Sequence, residues 1–156
     1  GDHVVAVDAL DHAPEWGTIQ VQATIMASPE TSQGGHASVA AEVAGQPVAL
    51  MAFEPTGDFR HRVWALRPGD VVLATGAFAN GAIRLEALAL QEAVPNKVAN
   101  PICCERSMKS RGAGGGYKCP ACGASTAEQA ATYEERATGS WEVPVMARRH
   151  LHRPLA

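Results

Sequence analysis

Apolar and polar residues alternate along Thr18–Met26, with Ile19, Val21, Ala23 and Ile25 on one face and Gln20, Gln22 and Thr24 on the other. A period of two predicts a half-buried strand. Ser28-Pro29-Glu30 to Gly34-Gly35 reads as a polar turn. Ala37–Val43 and Val48–Phe53 are two further strands, split by Gly45-Gln46-Pro47, and read as a hairpin. Phe59, Val63 and Leu66 then recur at helical spacing, which predicts one or two helical turns. Arg67-Pro68-Gly69-Asp70 is a turn, because Pro fixes φ and Gly tolerates positive φ. Val71–Phe78 and Ile83–Ala93 complete the set, joined by Asn80-Gly81, the strongest hairpin signal in the chain.

Three strands, a short helix and two strands is the order of an OB-fold, a five-stranded Greek-key barrel that often binds oligonucleotides. A generic small β-barrel or sandwich has the same periodicity. The chain is therefore expected to be mainly β, with the barrel at residues 1–94, a small zinc ribbon at 95–124 and a partly helical tail at 125–156.

The ribbon expectation rests on four cysteines, Cys103, Cys104, Cys119 and Cys122. Cys119-Pro120-Ala121-Cys122-Gly123 is a metal knuckle: its thiolates can face one ion, and Gly123 permits the tight turn. Zinc suits such a set because it accepts four sulfurs tetrahedrally without redox chemistry. In so small a module the metal stands in for a core, so its role is structural. Cys103 and Cys104 are adjacent, and side chains of neighbouring residues in extended backbone point to opposite faces. Both reach one metal only if the backbone turns sharply between them; otherwise one binds, and Glu105, His150, His152 or water completes the shell. A disulfide is the competing reading, in a chain with no sign of an oxidising compartment.

Between the cysteines lies a glycine-rich stretch, residues 108–118, carrying Lys109, Arg111, Tyr117 and Lys118. Its cations can contact phosphates and Tyr117 can stack a base. It is no P-loop, because the Lys-Ser pair precedes the glycines. Thr126–Arg136 is rich in Ala, Glu and Gln and is expected to be a helix. Three arginines and two histidines over residues 148–153 make a basic cluster.

Composition adds limits. The chain has 156 residues, 46% hydrophobic, 19% charged and 5% aromatic, which suits one domain or two small ones. No apolar run of about 18 residues occurs, so no membrane partner is expected. The first residues lack the pattern of a secretion signal, so a cytoplasmic location is expected. Net charge is −3. Residues 1–94 carry 11 acids and 4 Lys/Arg, or −7, and residues 95–156 carry 5 acids and 9 Lys/Arg, or +4. The split marks two modules with different jobs. No Ser/His/Asp set or paired carboxylates fall at recognisable spacing, so catalysis by this chain is not expected. His36 and His61 read as exposed polar residues near turns.

Three stretches together resemble the archaeal isoleucine-tRNA agmatinylcytidine synthetase family, in its C-terminal part. Gly34-Gly35-His36, Phe53-Glu54-Pro55-Thr56-Gly57-Asp58-Phe59-Arg60 and Leu66-Arg67-Pro68-Gly69-Asp70 are similar to its OB domain. Asn100-Pro101, Met108-Lys109-Ser110, Gly116-Tyr117 and Cys119-x-x-Cys122-Gly123 are similar to its zinc ribbon. Glu142-Val143-Pro144 and Ala147-Arg148-Arg149-His150-Leu151, with Pro154-Leu155, are similar to its C-terminal signature. That family activates a tRNA anticodon cytidine with ATP and attaches agmatine, its kinase-like catalytic part preceding the OB domain.

The resemblance implies a non-catalytic module that binds tRNA or another structured RNA, with Arg60, Lys109, Arg148, Arg149 and His150 at matching motif positions. It also implies an ATP-dependent cytidine-modifying partner, in the same polypeptide or as a separate kinase-like chain. The chain departs from the family in its contracted first knuckle, its acidic barrel and its lack of the catalytic part. Of the barrel aromatics, Phe53, Phe59 and Trp64 are the candidates for stacking bases. The alternative is a protein-interaction subunit of an enzyme assembly.

Overall fold

The computed structural model describes residues 4–53, 56–112 and 114–144. The described residues up to Val94, with those from Ala137 onward, form one compact unit, and Pro95–Arg136 form a second.

The first unit contains β1 (Val4–Ala6), β2 (Thr18–Ile25), β3 (Glu30–Ser32), β4 (His36–Val43), β5 (Gln46–Ala52), helix α1 (Asp58–Trp64), β6 (Val71–Ala79) and β7 (Ala82–Glu92). The alternation in the sequence sets which face is buried. Ile19, Val21, Ala23 and Ile25 of β2 are all in the core, as are Val39, Leu50, Val72, Ile83 and Leu85 of the neighbouring strands. β2 pairs antiparallel with both β4 and β6, β4 with β5, and β6 with β7. β5 runs parallel to β7 and closes the ring. A five-stranded closed barrel with the helix between its third and fourth strands is the OB-fold topology. Closure leaves these strands few free edges.

Two glycine positions, one in a turn and one within a strand, show why the sequence bends where it does. Asn80 and Gly81 both hold positive φ, 53° and 74°, which the two-residue hairpin between β6 and β7 requires. A Cβ at Gly76 would lie 2.0 Å from the Arg84 carbonyl oxygen, and the β6–β7 register shifts beside it. Only glycine allows that approach.

Additional strands extend the barrel. β1 lies parallel to the start of β2. The strand Gly139–Glu142 pairs antiparallel with Leu90–Ala87 of β7, and Val143 beyond it is buried. Helix α1 starts after Gly57, at φ 57°, and inserts Phe59 and Val63 into the core, followed by Leu66. Phe59 is therefore a core residue and offers no ring to a base.

The second unit is held by short ladders. Asn96–Ala99 pairs with Thr132–Glu134, and Ile102–Cys103 with Arg106–Ser107. Lys109–Ser110, Tyr117–Lys118 and Ser125–Thr126 form three strands in that order. Met108, Tyr117, Cys119 and Ala131 make its small core.

The helix expected over Thr126–Arg136 does not form. A 3-10 turn at Glu128–Ala130 lies between strand residues on both sides. Helix propensity is a weak local preference, and 11 or so residues cannot hold a helix without a tertiary face to bury. Here the segment instead bonds its backbone to Asn96–Ala99 and buries Ala131. Among the described residues no helix is long and apolar enough to cross a membrane.

Candidate metal centre and nucleic-acid surface

The four cysteine sulfurs converge to within 4.8 Å of one another. Cys103 Sγ lies 3.9 Å from Cys104 Sγ and 3.8 Å from Cys122 Sγ. A tetrahedron of sulfurs about 2.3 Å from a zinc ion has edges of about 3.8 Å, so these separations fit that ion. The zinc ribbon carries a structural zinc site, which when filled cross-links two hairpins around a core too small to hold them.

The adjacent pair is reconciled by backbone conformation. Cys104 and Glu105 both lie in the left-handed region, at φ 53° and 61°. They are the two central residues of a hairpin in which Cys103 faces Arg106. That is the sharp turn that brings neighbouring side chains to one side. Turns of this kind prefer Asn-Gly, and holding an ordinary L residue there costs about 1–2 kcal/mol.

The downstream knuckle has the usual form. Gly123, at φ 76°, donates its N–H to the Cys119 carbonyl at 2.9 Å. Cys119 is buried, and backbone N–H groups, first that of Cys122 and then that of Ala121, draw its pKa down to about 6. Cys103 is pushed up to about 12, chiefly by sharing its proton with Cys119 and then with Cys122. Cys104 is raised as well, first by Cys122. Zinc binding therefore displaces protons from the cluster, most readily at Cys119.

The hairpin next to this site presents its cations outward. Lys109 and Lys118 are directly paired across the ladder, and both are exposed. Arg111 is also exposed, with Nη1 donating to Ser125 Oγ at 3.2 Å. The glycine-rich tip is closed by Gly115 N–H to Gly112 O and by Arg111 N–H to Gly116 O. Gly116 sits at φ 69°, and a Cβ there would meet Thr126 O at 2.2 Å.

Tyr117 differs from its expected role. It is only 3% exposed, packed with Met108, Cys119 and Ala131, and the Lys97 ammonium lies 5.3 Å from its ring centre. Its ring is ribbon core and is closed to a base. The exposed tyrosine of the unit is Tyr133, 42% accessible, whose hydroxyl donates to the Glu128 carbonyl. The sequence carried no signal for it, since it lay within the expected helix.

In the barrel, Arg60 Nη1 donates to the Gly35 carbonyl, and its guanidinium lies over Trp64. Arg148, Arg149, His150 and His152 lie outside the described residues.

Residues 100–137 match the TiaS C-terminal zinc ribbon domain. Over 98% of its length the chain is 32% identical to TiaS of Methanosarcina mazei, a 2-agmatinylcytidine synthetase acting on an isoleucine tRNA. It is 33% identical, again over 98%, to the protein of the same name from Archaeoglobus fulgidus. It spans 37% and 38% of those two relatives. The crystal structure of TiaS in complex with its isoleucine tRNA and ATP superposes with a TM-score of 0.68 at 30% identity, covering 98% of this chain and 37% of that one.

Proposed function

The chain is homologous to TiaS over nearly its whole length and carries the TiaS zinc ribbon, and from that premise we propose that it is a tRNA-binding module of a tRNA-modifying enzyme. In this reading it grips tRNA while an ATP-dependent catalytic part, outside these residues, modifies a cytidine. The chain itself contributes binding and orientation. Zinc contributes the fold of the ribbon, with all four cysteines as ligands and no open position for chemistry.

One observation carries the reading. Lys109 and Lys118 face each other across a ladder with no carboxylate of the described residues within salt-bridge distance. Like charges placed directly opposite destabilise a hairpin. Polyanion binding relieves that repulsion, and the two ammonium groups with Arg111 can neutralise neighbouring phosphates. Arg60 is the proposed barrel contact, and Arg148, Arg149 and His150 are further proposed contacts on the basis of their residue types.

Titrating labelled tRNA with the zinc-loaded chain tests this. Raising salt from about 50 to about 200 mM should weaken binding by an order of magnitude or more. No binding at low salt would instead favour a protein-interaction subunit.

A further inference from the structure

We infer that the ribbon's cysteine cluster is also a site of reversible thiol oxidation, at which hydrogen peroxide joins Cys104 and Cys122 in a disulfide and so removes half of the metal's ligands. The inference concerns the cysteines alone and does not depend on RNA binding.

Access singles out this pair. Thiolates are the nucleophiles of cysteine chemistry, and metal ligation holds a cysteine in that form. Which of the sulfurs meets an oxidant first then depends on where the fold puts it. Cys119 is 1% exposed, packed with Met108, Tyr117 and Ala131. Cys103 is half-buried in a ladder opposite Arg106, with its carbonyl 3.8 Å from the Cys119 sulfur. Cys104 and Cys122 are both exposed. Cys104 heads the two-residue turn after Cys103, and Cys122 lies in the turn that closes the downstream knuckle.

The two sulfurs are within 4.8 Å of each other, and a disulfide brings them to about 2.05 Å. Side-chain rotation and a small shift of backbone close that gap, and a turn yields more readily than a paired strand. Cys103 is the poorer partner for Cys104, because a bond between chain neighbours closes a small, strained ring. Joining Cys104 to Cys122 instead links two hairpins.

The Cys104 thiolate attacks one oxygen of hydrogen peroxide. The O–O bond breaks, hydroxide leaves, and Cys104 becomes a sulfenic acid. The Cys122 thiolate then attacks the Cys104 sulfur, so that the S–S bond forms, the S–O bond breaks and a second hydroxide leaves. Two electrons pass from the sulfurs to the peroxide, and two protons from solvent convert the hydroxides to water. Prompt attack by Cys122 keeps Cys104 on the reversible part of the oxidation ladder. Cys103 and Cys119 remain, too few to complete a tetrahedral zinc shell. The ribbon's own core is only Met108, Tyr117, Cys119 and Ala131, so its order falls with the loss of those ligands. A dithiol reductant restores both thiolates and with them the site.

The test treats the zinc-loaded chain with about equimolar hydrogen peroxide while a chromogenic chelator reports free zinc. About one zinc per chain should be released and about two of the four thiols lost, and dithiothreitol with added zinc should restore both. Peptide mapping without reduction should find Cys104 joined to Cys122. In the untreated zinc-loaded chain, limited alkylation should mark Cys104 and Cys122 before Cys103 and Cys119. Every readout uses the wild-type chain, so no variant has to fold. Zinc retained under excess peroxide overturns the site. Release with any other cysteine pairing overturns the assignment to Cys104 and Cys122. Release that dithiothreitol fails to reverse, with sulfinic acid in place of a disulfide, overturns the reversibility.

Discussion

The Asp70 carboxylate accepts the backbone N–H of Val94 at 2.8 Å through one oxygen and that of Arg67 at 2.9 Å through the other. Asp70 is fully buried, and its own carbonyl accepts from Ile25 N–H. Its side chain thus ties the turn before β6 to the segment just after β7, while its backbone carbonyl holds the last residue of β2. Replacing it by Ala would leave two backbone donors without their acceptor. Each buried unsatisfied group costs about 1–3 kcal/mol, so Asp70→Ala should destabilise the barrel by roughly 2–5 kcal/mol. Urea unfolding followed by far-UV circular dichroism measures this; a loss below about 1 kcal/mol would show that the tie contributes little.

Much of the barrel was legible because its signals are local. The Ile19, Val21, Ala23, Ile25 alternation and the Asn80-Gly81 turn each specify a strand face or a reversal without reference to distant residues. The ribbon was less legible because its determinants are not local. Thr132–Glu134 becomes a strand only because Asn96–Ala99 offers a ladder. Tyr117 is buried because a unit of this size recruits whatever large apolar surface it has. The arginine–ring contacts join Phe53 to Arg84 and Arg62 to Trp141 across long stretches of chain, and no spacing rule exposes such pairs. At the zinc site, the residue types predicted the chemistry, while the two left-handed residues that make it geometrically possible appear only in the fold.

Zinc should bind at one ion per chain, and removing it should unfold the ribbon while leaving the barrel folded, because the two units have separate cores. Cys103→Ser and Cys104→Ser should lose metal equally. Metal content and a chelator competition decide this; loss in only one variant would reassign the fourth ligand. The affinity should also fall with pH. Cys119 takes up a proton below about pH 6, so zinc then has one more proton to displace.

Glu105 occupies the second left-handed position of the turn that carries Cys104. Glycine adopts that conformation without a Cβ clash, although it also gains freedom in the unfolded chain. Glu105→Gly should therefore stabilise the hairpin by about 0.5–1 kcal/mol net. It also removes a negative charge beside a four-thiolate zinc site. Apparent zinc affinity should rise a few-fold in a chelator titration. An unchanged or weaker affinity would mean that the turn is not a source of strain, or that the Glu105 side chain supports the site.

Lys118→Glu separates what is good for the ribbon from what is good for RNA. Opposite Lys109 it replaces a repulsive cross-strand pair by an attractive one, worth about 0.2–1 kcal/mol. The zinc-loaded ribbon should melt slightly higher. The same change turns a cation on the proposed RNA face into an anion, so tRNA affinity at low salt should drop about tenfold and the salt dependence should become shallower. Lys118→Gln should fall between wild type and Lys118→Glu in both measurements. Thermal melting monitored by near-UV circular dichroism gives the first and fluorescence anisotropy the second. A ribbon that gains stability while tRNA binding stays at the wild-type level would remove this hairpin from the RNA interface. Loss of both would show that Lys118 supports the fold in a way its exposed position does not reveal.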